Sequence, residues 1–328
     1  MNRRSLLGAL AAPALIGRAV AQGRDGVPPG TITLIVPFAA GGPTDVVSRL
    51  VGEAMGRDLG QTVVVENVTG AGGTIGAARV AAARNDGTTM LMHHIGHATA
   101  ATLYRTLRYD VQESFAPIGL VTEVPMIITA RLGLPGTTLP ELLALIRREG
   151  DKLNLGHSGI GGSDHLCGIL LMRAAGRAVT TVAFRGGAPA LSEMLAGRID
   201  LHCAQATSAA AHLREGQIKA YAVTTEQHLP PPVIDRIPTV FEAGQPDMQV
   251  SVWHGLYLPK GAPDATVRRM SRALQAALRS PHVISRFAEL VTAPVAQDRA
   301  TPEYHRQFLA TEVARWRPLI QEAGIYAD

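Results

Sequence analysis

Three glycine-rich segments each stand where a short apolar run gives way to a helical pattern. They are Pro37 to Asp45, with Gly41 and Gly42; Thr69 to Gly73; and Ser158 to Ser163, with Gly159, Gly161 and Gly162. A strand-to-helix turn of this kind points backbone N–H groups, and the positive end of a helix dipole, at whatever lies in front of it. It can therefore hold an anion. Glycine lets a ligand come close to the main chain. The plain alternative is a turn in which Thr44 or Asp45 caps its own helix. Three such loops at equivalent strand ends favour a carboxylate cradle, with amides around Gly41, Gly42, Gly159 and Gly161, hydroxyls from Thr44, Ser158 and Ser163, and Phe38 as apolar wall.

Histidine is the other unusual feature. His93, His94, His97, His157, His165, His202 and His254 fall at or beside expected strand ends. As neutral rings they are hydrogen-bond partners for ligand oxygens or for backbone, and a partly protonated one adds positive potential. His97 and His157 are the residues expected to set selectivity. His93 and His97, four apart, could share a metal on a helical turn, but the segment reads as loop and no carboxylate or thiol completes a ligand set. A metal or metal-chelate receptor is kept as the alternative.

Enzyme signatures fail on inspection. A dinucleotide fingerprint from Gly70 and Gly72 needs a small residue where Ile75 stands, and a nucleophile elbow around Ser158 needs glycine where Ile160 stands. Ser163, Asp164 and His165 are consecutive, which is not how a triad assembles in space. No phosphate-binding lysine motif is present and no cofactor is expected. Catalysis is not expected either.

The elements that must carry these loops alternate in the manner of a helix-covered, mostly parallel sheet. Strands are expected at 31–36, 63–65 and 88–92, with helices to about Leu59 and over 74–83 and a loop at 93–97. Phe115 to Val124 reads as an extended crossing into a second lobe. That lobe carries strands at 126–130, 152–156, 179–184, 199–203 and 218–223, and helices at 139–149, 163–175 and 189–196. The chain returns through Pro230-Pro231-Pro232 to a strand at 251–258 and two helices, 265–278 and 302–322. Lobe 1 is thus assigned to 22–124 plus 225–328 and lobe 2 to 125–224, with the ligand cleft between them at the carboxyl ends of the strands.

Residues 1–21 read as an export leader: Arg3 and Arg4, an apolar run over 5–16, and Ala19-Val20-Ala21 as the cleavage site. The arginine pair also fits twin-arginine export. Cleavage takes three of the 31 bases and none of the 27 acids, which lowers the net charge from +4 to +1. With no basic cluster downstream, nucleic acid is not an expected partner. Cys167 and Cys203 sit among apolar neighbours and read as buried thiols.

Taken in order, several motifs resemble the Bug family, the solute-binding proteins of tripartite tricarboxylate transporters. These are Val36-Pro37-Phe38 with Gly41-Gly42-Pro43-Thr44-Asp45; Glu66-Asn67 with Gly70-Ala71-Gly72-Gly73; Tyr109-Asp110 with Phe115 and Pro117; His165-Leu166; Phe184-Arg185-Gly186-Gly187-Ala188-Pro189; Gly197-Arg198-Ile199-Asp200; Ile237-Pro238-Thr239; and Trp253-His254-Gly255. The resemblance spans the whole mature chain. It implies an α/β type II periplasmic binding fold that closes on a small carboxylate, acts as a monomer, and delivers its ligand to membrane permease subunits; a sensor for a signalling partner is the other role such a receptor could have. It also implies ligand contacts from Phe38, Ala40, Gly41, Gly42, Thr44 and Asp45, and from Ser158, Gly159, Gly161 and Ser163. His94, Gly187, Ala188 and Gln205 complete the expected wall. Pro43 replaces a common third glycine, Ala204 a common acid and His254 a common tyrosine. Losing an acid and gaining histidines argues against a cationic group on the ligand.

Overall fold

The computed structural model describes residues 26–229 and 236–327. The expected leader and the Pro230-Pro231-Pro232 stretch lie outside the described residues.

Strand β1 (Ile32–Val36) is nearly all apolar and buries every side chain but that of Thr33, as a strand covered on both faces must. It lies parallel between β2 (Val63–Asn67) and β3 (Thr89–His94). Helix α1 (Pro43–Leu59) joins β1 to β2. Proline presets its first turn, and Gly60, at φ 66°, ends it in the left-handed region that glycine adopts without strain. Helix α2 (Thr74–Ala81) joins β2 to β3.

The expected loop over 93–97 is instead the end of β3 followed at once by α3 (Gly96–Leu103). Its buried alanines and Leu103 pack inward, so the short segment is helical by tertiary contact rather than by periodicity. The crossing also differs from expectation. Phe115 to Arg131 is one strand, β4, of 17 residues.

The second lobe follows the expected alternation, with α4 (Leu139–Glu149), β5 (Asn154–His157), α5 (Ser163–Ala175), β6 (Thr180–Ala183), α6 (Gly187–Leu195) and β7 (Leu201–Gln205). It adds α7 (Ala206–Arg214) before β8 (Ile218–Val223). The chain closes with β9 (Ser251–Pro259), α8 (Asp264–Arg279), α9 (Pro281–Glu289) and α10 (Pro302–Ala323). The nine-residue helices α7 and α9 are additions to the elements expected from the sequence.

The strand order β2-β1-β3-β9-β4-β7-β5-β6, with β8 also on β4, shows what the long strand does. Its first part, through Pro125, pairs with β9, and its second, from Met126, with β7 and β8. One strand thus serves both lobes. The junction is held by Thr224, whose hydroxyl donates to the Val250 carbonyl (2.6 Å) and accepts from the Met126 amide (3.1 Å). Its backbone bonds Met126 and Val250 as well.

On the far side of β9, Trp253 and Trp316 both donate indole N–H groups to the buried Glu312 carboxylate, at 2.9 and 3.2 Å. The aromatic stripe of α10 is therefore core. Thr224→Val keeps the shape of the crossing residue but leaves the Met126 amide and Val250 carbonyl short of a partner. We expect a loss of about 1–3 kcal/mol in stability, read from urea unfolding.

Candidate functional site

The carboxyl ends of β1 and β3 in one lobe face those of β5, β6 and β7 in the other. The approach is close: a methyl group placed on Gly161 would lie 2.7 Å from Leu103 of α3, and one placed on Gly96 would lie 3.5 Å from the Gly161 carbonyl oxygen. A methyl on Gly72 would lie 3.6 Å from the Ile160 carbonyl. Glycines at these positions let the lobes meet through backbone.

Two of the three glycine loops, those at 37–45 and 158–163, are fastened by an aspartate in the first turn of the helix behind them. Asp45 is buried and accepts from the Gly41 amide (2.8 Å), Arg49 Nε (2.9 Å) and Asn67 Nδ2 (2.9 Å). Burial pushes its pKa up, but Arg49, the Gly41 amide and Asn67 outweigh that and hold it below the usual carboxylate value. Asp164 is the counterpart in the second lobe. It accepts from the Ser158 amide (2.8 Å), the Ser158 hydroxyl (2.6 Å), the His165 amide (2.9 Å) and His202 Nε2 (3.3 Å). Burial again opposes its charge, and His202 and Ser158 overcome it.

These bonds change the roles expected of several residues. The Gly41 amide is committed to Asp45 and the Gly42 amide to the Ala39 carbonyl (3.2 Å). The Gly159 and Gly161 amides donate to ring nitrogens, His157 Nδ1 (3.1 Å) and His165 Nδ1 (3.3 Å). Ala40 is exposed on its loop, Ala188 is exposed in the first turn of α6, and Gly187 lies beside Asp164 and His202. The Thr44 hydroxyl pairs with His254 Nε2 (3.0 Å), and Ser163 Oγ accepts from Gln205 Nε2 (3.3 Å). Asp45 acts as a fastener of the loop. Asp164 and Asn67 were missed as site-builders, while His202, expected at the cleft, serves Asp164; a carboxylate one turn after a glycine loop was the available signal, as at Asp45.

Histidines divide into two groups. Phe38 stacks on His94, ring centroids 4.1 Å apart, with His93 at its edge (5.3 Å). Behind them His97 is packed against Tyr109, Phe115 and Tyr257, and its Nε2 pairs with the Val111 carbonyl (3.2 Å). His97 is thus a core residue and not the cleft residue expected. His254 and His305 are likewise sealed, each with an unpartnered ring nitrogen. Burial keeps this group neutral: His93 is pushed down to about 4, His254 and His305 to about 3. Among the described residues no three His, Cys, Asp or Glu side chains are arranged to hold a metal. Cys167 and Cys203 are both buried and unbridged, as expected.

A cavity of about 690 Å³ lies elsewhere, on the α10 side of β9, bounded by Glu123, Trp253, Arg299 and Glu312. Its charges already answer one another, Arg299 pairing with Glu123 through two bonds of 2.7 and 2.8 Å.

Asp164→Asn turns an amide N–H toward groups that are themselves donors; we expect a loss of about 2–3 kcal/mol in unfolding free energy. The buried histidines set the acid limit. Each is neutral when folded but protonates below its ordinary value of 6.5 once unfolded, so its contribution is complete above that pH and is lost as pH falls toward 4. Each costs about 1.4 kcal/mol per pH unit in that window. His305→Leu is expected to flatten the pH dependence of the urea midpoint between pH 6 and 4 by about one proton.

The tripartite tricarboxylate transporter family receptor pattern matches residues 47–325. The periplasmic binding protein BugD superposes with a TM-score of 0.82 at 40% identity, over 90% of this chain and 98% of its own. MatC from Rhodopseudomonas palustris, solved with bound malate, gives 0.82 at 37% identity over 88% and 98%. R. palustris Rpa4515, solved with adipate, gives 0.83 at 31% over 91% and 99%. With a two-lobed fold, loops that meet across a cleft and this likeness over nearly its whole length, the chain belongs to the tripartite tricarboxylate transporter receptor family, the Bug-type periplasmic solute-binding proteins.

Proposed function

We propose that this receptor captures a small dicarboxylate by closing its lobes and passes it to the membrane subunits of a tripartite transporter. The observation that carries the reading is the meeting of two helix-backed glycine loops from opposite lobes, Phe38 to Asp45 and Ser158 to Ser163. Each loop places first-turn amides without intrahelical acceptors at a cleft, where a carboxylate completes them. Malate in MatC and adipate in Rpa4515 are carboxylates of the same class.

Lobe 1 comprises 22–124 and 225–328, lobe 2 comprises 125–224, and the hinge lies at Pro125–Met126 and Thr224. The chain works as a periplasmic monomer after cleavage behind Ala21. Closure stores no energy unless the ligand binds the closed form better than the open one, so contacts from both lobes are required. The fully paired Asp45 and Asp164 contribute by shaping the loops.

A thermal-shift titration of the chain from Gln22 onward with malate, succinate, adipate and citrate tests this. A dicarboxylate at one hundred times its Kd adds about 2.7 kcal/mol to stability and raises the melting temperature by several degrees. No shift with any of these acids would overturn the reading.

A further inference from the structure

The ring nitrogens sort by where they end. In His94, His157 and His165 the Nδ1 atom accepts a backbone amide, from Gly96 (2.9 Å), Gly159 (3.1 Å) and Gly161 (3.3 Å) respectively. An accepting Nδ1 places the ring proton on Nε2. None of these Nε2 atoms has a protein partner, yet none is sealed from solvent, in contrast to the unpartnered nitrogens of His93, His97, His202, His254 and His305. Three buried rings therefore each expose one N–H donor.

The three lie together at the lobe junction. His157 and His165 have ring centroids 4.6 Å apart. Gly96, whose amide fixes His94, faces the Gly161 carbonyl, and the Gly161 amide fixes His165. His94 is held flat on Phe38. Neither guanidinium beside these loops competes for this role: Arg49 is committed to Asp45 and Asn67, and Arg185 stands exposed.

Resting on the receptor reading above, we propose that His94, His157 and His165 form a three-donor imidazole site, shared by the two lobes, that receives the second carboxylate of a dicarboxylate. Selectivity for a diacid over a monoacid then comes from fixed imidazole N–H groups and not from a cation. The His94 and His165 rings stay neutral at ordinary pH. Burial holds His94 well below its usual value, with His93 and His254 adding repulsion, and burial with His157 pushes His165 down to about 4. Donors locked in tautomer and orientation lose little on binding.

The test is calorimetric titration with matched pairs, succinate against butyrate and adipate against hexanoate. His94→Asn and His157→Asn keep an oxygen where Nδ1 accepts the backbone amide but remove the Nε2 donor. The expected result is a diacid affinity about ten- to a hundredfold weaker in each variant, with monoacid affinity unchanged. His94→Gln, whose amide nitrogen reaches the Nε2 position, retains the preference for diacids. If the native chain binds diacids and both asparagine variants, folded by their melting curves, bind them equally well, or lose mono- and diacids in parallel, the three-donor site is wrong and the receptor reading stands. If the native chain binds none of the four acids, both fall.

Discussion

The buried carboxylates of Asp45 and Asp164 are the constraint on which the two faces of the cleft depend. A glycine-rich turn has little to hold its shape, and its conformational freedom must be removed before its amides can act as a receptor. Each aspartate does this from the first turn of the helix behind its loop, where the dipole and the orphan amides already favour negative charge. The same geometry that could bind a ligand anion thus first binds an internal one. Only the remaining donors of each loop are left for another partner.

The second organising feature is continuity. A single strand serves both lobes and is pinned at the crossing by Thr224. Glycines at 72, 96 and 161 then bring main chain against main chain at the junction. A side chain at 161 would run into Leu103 across the junction. Fold and function meet here, because a receptor that signals occupancy by closure needs two faces that fit when closed and separate at a hinge.

The histidines illustrate how one residue type is used in two ways. His93, His97 and His305 belong to an aromatic core with Phe115, Tyr109, Tyr257 and Trp253, and His254 is buried beside His94. There a neutral imidazole packs as an aromatic ring, and its unpartnered nitrogens make it sensitive to acid. His94, His157 and His165 instead spend one nitrogen on the backbone and keep the other for the cleft. Sequence position does not separate the two groups, since His93 and His94 are neighbours.

Much of this protein is written locally. The alternation of apolar runs and amphipathic stretches gave the α/β class and most strands, the glycine loops at strand ends gave the faces of the cleft, and an ordered chain of motifs gave the family. Local pattern also missed the short helices α3, α7 and α9, and it misled where one strand serves two lobes, since Phe115–Val124 and Met126–Ala130 look like separate pieces until their partners on β9, β7 and β8 are known. Only the tertiary structure decided which polar atoms remain available. Thr44 meets His254 from 210 residues away, and Asp164 meets His202 from 38. A hydrogen-bonding group has a small, fixed capacity, so whether it builds the site or serves the ligand depends on which distant residue reaches it first in the folded chain.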